Sequence, residues 1–190
     1  MGFSKYIEEH TKVVSDNIIK LHVVEQAKIL KACFEKGKKL LVAGNGGSAV
    51  DASHFVAEFV NRIRPAYDRP ALPALALTTD MAIVTSIAND NCYSSIFSKQ
   101  IEALGNAEDV FIGITTSGSS QNISEALIAA KKKGMITIIW RGNKYGTAPV
   151  SVDYDAILPT TNTAICQEVM LMMAHLLVFE TENLMYFAPL

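Results

Sequence analysis

Short apolar runs alternating with segments of helical period predict an α/β protein, doubly wound around a parallel sheet. Five runs have the length and apolarity of buried strands: "KLLVAG", "LPALALT", "VFIGITT", "MITIIW" and "YDAILP". Between them lie helical patterns long enough for right-handed crossovers, which cover both faces of a parallel sheet. With 190 residues the chain suits one core, and it shows no internal repeat, linker or low-complexity tract.

In chain order, apolar residues first recur at three- and four-residue steps over about 5–34 (Val14, Ile18, Leu21, Val24, Ala27, Leu30, Phe34), predicting one long opening helix. A turn at Lys36-Gly37-Lys38 leads into "KLLVAG". Further helices are expected at about 48–61, 80–88, 93–104 and 120–132, and a long one at about 163–183. "RIRPAYDRPALP" holds three prolines, Pro65, Pro70 and Pro73, and reads as an irregular connection from helix to strand.

Composition narrows the function. Hydrophobic residues make up 49% and charged ones only 19%, an apolar excess that points to an oligomer interface. A net charge of -2, with basic residues scattered apart from Lys131, Lys132 and Lys133, gives no footprint for nucleic acid; the triplet reads as the cationic end of a helix. Cys33, Cys92 and Cys166 are odd in number and widely spaced, which fits a reducing cytoplasm better than a disulfide framework or zinc knuckle. The first residues lack an apolar signal core, the myristoylation pattern is broken at Tyr6, and no run is read as a membrane span.

In doubly wound sheets ligands bind beyond the carboxyl ends of the strands, where helix N-termini offer free amides. Two loops are placed there. Gly44-Asn45-Gly46-Gly47-Ser48-Ala49 matches G-x-G-x-x-A, a weak dinucleotide fingerprint, but the acidic residue that would hold a ribose belongs at the end of the second strand about 20 residues on, and that strand ends near Thr79-Asp80, too late to match well. A plain tight turn or a site for a smaller anionic or polyol ligand remains open. Thr115-Thr116-Ser117-Gly118-Ser119-Ser120 carries five hydroxyls in six residues before a helix, more than an N-cap requires, and so favours phosphate.

His54 and Glu58, spaced i, i+4, leave one face of the helix after the first loop, where they serve either as a solvated pair or as metal or catalytic groups. Gln167, Glu168 and His175 interrupt the apolar "CQEVMLMMAHLL". Gln167 and His175 lie roughly 80° apart around a helix and about 12 Å along it, so reaching one ion requires leaning together or a donor from a neighbouring chain.

"AGNGGSAVDASHFVAEF", "LALTTDMAIVTSIAND", "GITTSGSSQNISEAL" and "ICQEVMLMMAH" together resemble the phosphoheptose isomerase family of the sugar isomerase (SIS) domain class, over nearly the whole chain. The resemblance implies a single SIS domain over 1–190: a flavodoxin-like five-stranded parallel sheet flanked by helices, with long N- and C-terminal helices. It also implies a cytoplasmic homotetramer with active sites between subunits, the opening helix serving oligomerisation. One zinc per subunit is implied at His54, Glu58, Gln167 and His175. Phosphate is implied at Thr115 (where serine is common), Thr116, Ser117 and Ser120, and other substrate contacts at Asn45, Gly46, Gly47, Ser48, Asp90 and Gln167. Ala164 departs from relatives that carry an aspartate there.

The implied reaction converts D-sedoheptulose 7-phosphate to D-glycero-D-manno-heptose 7-phosphate through an enediol, the entry to bacterial heptose for lipopolysaccharide or capsule. Glu58 is expected as base and His175 as the second proton-transfer group. The alternatives are a non-catalytic SIS protein that binds the replication initiator, and an isomerase of another sugar phosphate. The first conflicts with the presence of all four metal-type residues. A sugar-phosphate-sensing regulator would need a DNA-binding domain for which the chain has no room.

Overall fold

The computed structural model describes residues 1–187. Helices α1 (Phe3–Val14) and α2 (Asn17–Glu35) precede strand β1 (Leu40–Gly44), and α3 (Gly47–Val60) and β2 (Ala74–Ala76) follow. Next come α4 (Met81–Asp90), a 3-10 turn (Tyr93–Ser95), α5 (Ser98–Leu104), β3 (Val110–Thr115), α6 (Gln121–Lys132), β4 (Ile136–Gly142), β5 (Tyr154–Leu158) and α7 (Thr163–Tyr186). The strands form one parallel sheet in the order β2-β1-β3-β4-β5. All five expected strands are present, and the doubly wound class holds.

Alternation along the strands divides the core. Leu40, Val42, Val110, Ile112, Ile114, Ile138 and Trp140 face α2, α3 and α7, whereas Leu41, Ala43, Phe111 and Ile139 face α5 and α6. Several polar groups buried in the first layer are paired, although Gln26 Nε2 finds no partner among the described residues. Trp140 Nε1 donates to Gln26 Oε1 at 2.6 Å, and His22 bridges the Tyr154 hydroxyl (3.0 Å) and the Ile157 carbonyl (3.2 Å).

The expected opening helix over 5–34 is instead two helices. Asp16 is extended and its side chain caps α2 by accepting from Ile18 N at 2.9 Å, while Ser15 Oγ donates back to Thr11 O. Apolar spacing runs unbroken from Val14 to Ile18, so periodicity alone passes over the stop. The buried stripe shifts with it: Ile19, Val23, Ala27, Leu30 and Phe34 are buried and Leu21 is exposed. The helix expected at 93–104 is a 3-10 turn followed by α5.

One segment of α7 has the length and mean hydropathy (1.4) of a membrane span, which the sequence reading did not credit. Its buried face, from Ile165 through Val169 and Met173 to Leu177, packs into the core against α2 and α3. The cysteines are free; burial pushes the Cys33 thiol up to about 11 and the Cys166 thiol up to about 12. Lys131 and Lys132 end α6, with Lys131 Nζ donating to Ser151 and Lys133 Nζ to the Glu102 carbonyl.

Candidate active site

The first loop turns from β1 into α3 through Gly46, whose φ of +56° is strained for any residue with a side chain. Gly47 is needed for a different reason. The Gln167 carboxamide from α7 lies directly against it, in the space a Cβ would occupy. Ser48 and Asp51 are buried in the first turns of α3. Burial pushes the Asp51 carboxyl above its usual range, opposed by His54 and the Gln167 amide, and its Oδ2 has no hydrogen-bond partner among the described residues.

The second loop folds its hydroxyls onto one another at the N-terminus of α6. Thr115 Oγ1 lies 3.0 Å from Ser120 Oγ and 3.3 Å from Ser117 Oγ, and the Ser119 hydroxyl donates to Ser117 Oγ at 3.2 Å. Thr116 forms no bond to this group among the described residues. The neighbouring cation is engaged elsewhere: buried Arg141 donates to Asp155 at 2.8 and 2.7 Å and to the Tyr145 carbonyl. An anion here would be held by hydroxyls and helix amides rather than by a guanidinium.

The two loops are joined by side chains. Asn45 Nδ2 donates to Asn122 Oδ1 and Asn122 Nδ2 donates to Asn45 Oδ1, each at 2.8 Å, and the Tyr93 hydroxyl donates to the same Asn45 oxygen at 3.0 Å. Asp90, expected at the site, is exposed and accepts from adjacent Asn89; no bond joins it to the other site residues. Ala164 is exposed in the first turn of α7, its backbone N–H capped by Asn162.

Further along α3, His54 Nε2 lies 3.0 Å from His175 Nε2 and 3.4 Å from Glu58 Oε1. At zinc distances of 2.0–2.1 Å, neighbouring donors of a tetrahedron stand about 3.3 Å apart, so two edges of such a set are formed by suitable nitrogen and oxygen donors. The set is not closed: among the described residues no three His, Cys, Asp or Glu side chains surround a common point. Gln167 sits two turns from His175, at the level of Gly47, so the geometric tension read from the sequence persists within one chain.

Sequence reading missed four residues of this neighbourhood. Asp51 stands one turn before His54 and could have been found from helical spacing. Asn122 and Tyr93 carried no signal, because their roles depend on two loops meeting. Arg69 lies in the irregular proline-rich stretch, yet its guanidinium is buried and donates to the Glu58 and Phe59 carbonyls at 2.8 Å each, closing the C-terminal end of α3.

A parallel sheet with a glycine-rich turn and a hydroxyl-rich turn at the carboxyl ends of two adjacent strands defines an α/β domain suited to a small anionic ligand. A family model described as SIS domain matches residues 3–139. A phosphoheptose isomerase of Thermodesulfovibrio yellowstonii is 45% identical over 167 residues, 88% of this chain and 82% of that relative. One from Sulfurimonas denitrificans is 41% identical over 91% of this chain and 92% of its own length. The solved structure of a phosphoheptose isomerase from Francisella tularensis superposes with a TM-score of 0.84 at 34% identity, covering 95% of this chain and 96% of that one. The chain belongs to the SIS domain family, among its phosphoheptose isomerases.

Proposed function

We propose that this enzyme isomerises D-sedoheptulose 7-phosphate to D-glycero-D-manno-heptose 7-phosphate. The observation that carries the reading is the contact of His175 with His54 beside Glu58, which gathers proton-transfer groups from helices more than a hundred residues apart in sequence. The relatives' shared name supports the substrate class.

In this reading the phosphate rests on Thr115, Thr116, Ser117 and Ser120 at the N-terminus of α6, and Asn45 to Ser48 contact the sugar. Glu58 removes a proton from C1 as the C1–C2 double bond of the enediol forms, and returns it to C2. His175 gives a proton to O2 and takes one from O1, so the net change is one proton moved from C1 to C2 and one from O1 to O2. His54, Glu58 and His175 would hold a zinc ion, with Gln167 as the expected fourth donor, a role that competes with proton transfer at Glu58 and His175 because a metal-bound lone pair cannot take up a proton; bound zinc supplies Lewis-acid polarisation of the sugar oxygens. Asp90 is assigned to the sugar end on family resemblance alone.

A cytoplasmic homotetramer with sites between subunits, feeding heptose to lipopolysaccharide or capsule, completes the reading. The apolar excess supports only its self-association: a groove of about 610 Å³ between α2 and α7 is lined by Val23, Val24, Met172, Leu176 and Phe179. The non-catalytic alternative is not favoured, since all four metal-type residues are retained within a chain 45% identical to an isomerase.

The test is to purify the protein, quantify bound zinc and follow sedoheptulose 7-phosphate turnover for wild type and Glu58→Gln. Zinc-loaded wild type without turnover removes the substrate, and full activity in the variant removes Glu58 from the base role.

A further inference from the structure

We infer that Asn122 is a positioning residue for the isomerisation, locking Asn45 so that it presents a single hydrogen-bond donor to the sugar. This rests on the reading of Thr115 to Ser120 as the phosphate site and of Asn45 to Ser48 as the sugar-contacting turn. The glycine-rich turn holds its own backbone, Ser48 N–H donating to the Asn45 carbonyl at 3.0 Å and Ala49 N–H to the Gly46 carbonyl at 3.1 Å, but these bonds leave the direction of the Asn45 carboxamide unset. Asn122, by contrast, is the second residue of α6 and only 2% exposed, so its backbone is fixed by the helix and its amide by burial.

Two antiparallel amide bonds of 2.8 Å set both the distance and the plane of the Asn45 carboxamide. Its donors and acceptors can be counted. Asn45 Oδ1 spends both lone pairs, on Asn122 Nδ2 and on the Tyr93 hydroxyl, while Nδ2 spends one of its two hydrogens on Asn122. What remains is one N–H. Asn45 therefore recognises a ligand oxygen through its lone pair, in an orientation tied to the first turn of the helix that follows the phosphate loop. The clamp couples the two ends of the substrate: moving α6 moves the group that reads the sugar.

The experiment compares wild type, Asn122→Ala, Asn122→Asp, Asn45→Ala and the Asn45→Ala/Asn122→Ala double variant. It reads kcat and KM for sedoheptulose 7-phosphate, inhibition by inorganic phosphate, and the thermal midpoint. Asn122→Ala is expected to lower kcat/KM by about 10–100-fold, the usual range for groups that orient a contacting residue. Phosphate inhibition should stay within about twofold of wild type, and the double variant within about twofold of Asn45→Ala, because the two residues act as one unit.

Multiplying losses in the double variant, or phosphate inhibition that weakens in step with KM, overturns the inference, since Asn122 would then act on the phosphate loop by itself. Should Asn122→Ala not fold, the near-isosteric Asn122→Asp carries the same comparison; it keeps an acceptor for Asn45 Nδ2 but loses the donor to Oδ1. Wild type that neither turns over the sugar phosphate nor is inhibited by phosphate fails the functional reading before any variant is measured, and overturns the inference with it.

Discussion

Arg69 Nε donates to Glu182 Oε1 at 2.7 Å, with both side chains fully removed from solvent. The pair joins the end of α3 to α7, two turns beyond His175, and Arg64 Nη1 adds a second cation on Glu182 Oε2 at 3.1 Å. Cutting one side of a buried pair leaves an uncompensated charge, so Arg69→Met should lower unfolding free energy by about 3–5 kcal/mol. The apolar double variant Arg69→Met/Glu182→Leu should recover most of that loss. Urea denaturation checks both; a single variant within about 1 kcal/mol of wild type would mean that Arg64 alone compensates Glu182.

Gly47→Ala places a methyl group where the Gln167 carboxamide now lies. Gln167 is a side chain and can swing aside, so stability should fall by only about 1–3 kcal/mol. Activity should fall further, by at least about tenfold, because the displaced amide belongs to the site. Steady-state kinetics beside thermal unfolding separates the two effects.

His22 gives the fold a dependence on mild acid. Burial holds its imidazole below the ordinary value of 6.5, against the opposing hydrogen bond to the Ile157 carbonyl. With the folded value below the unfolded one, the unfolded chain takes up the proton first as pH falls. The stability this group contributes is present above about pH 6.5 and is lost as pH falls through its folded value. Urea midpoints for wild type should drop between pH 7.5 and 5.5, and His22→Gln should show a shallower slope over the same interval.

The hydroxyl cluster should govern affinity for the phosphate end. Ser120→Ala and Thr115→Val each remove one donor from a group held at 3.0 Å, and each lost bond is worth about 1 kcal/mol. KM for the sugar phosphate should rise about fivefold per substitution, with weaker inhibition by inorganic phosphate and a smaller change in kcat. Unchanged phosphate inhibition in both variants would move the anion to another site.

Much of the local structure was legible because it depends on short-range chemistry. The runs "LLVAG" and "VFIGIT" became central strands since nearly every residue in them can be buried on one face or the other. The stop between α1 and α2 was written in Ser15 and Asp16, a polar cap signal that apolar spacing outweighed. The 3-10 turn at Tyr93–Ser95 carried no comparable mark; Tyr93 is placed partly by a bond to Asn45, 48 positions away.

By itself the sequence determined the class of fold, the order of its strands along the chain, the two loops at their carboxyl ends and the residue types available for chemistry, all features that follow from periodicity and turn composition. Only the tertiary structure decided the pairings: His175 against His54, Gln167 against Gly47, Asn122 against Asn45 and Arg69 across α3 to Glu182. The reason is physical. Side-chain contacts between helices depend on their axial register and rotation on the sheet, which are fixed by packing of the whole apolar core and leave no trace in local spacing.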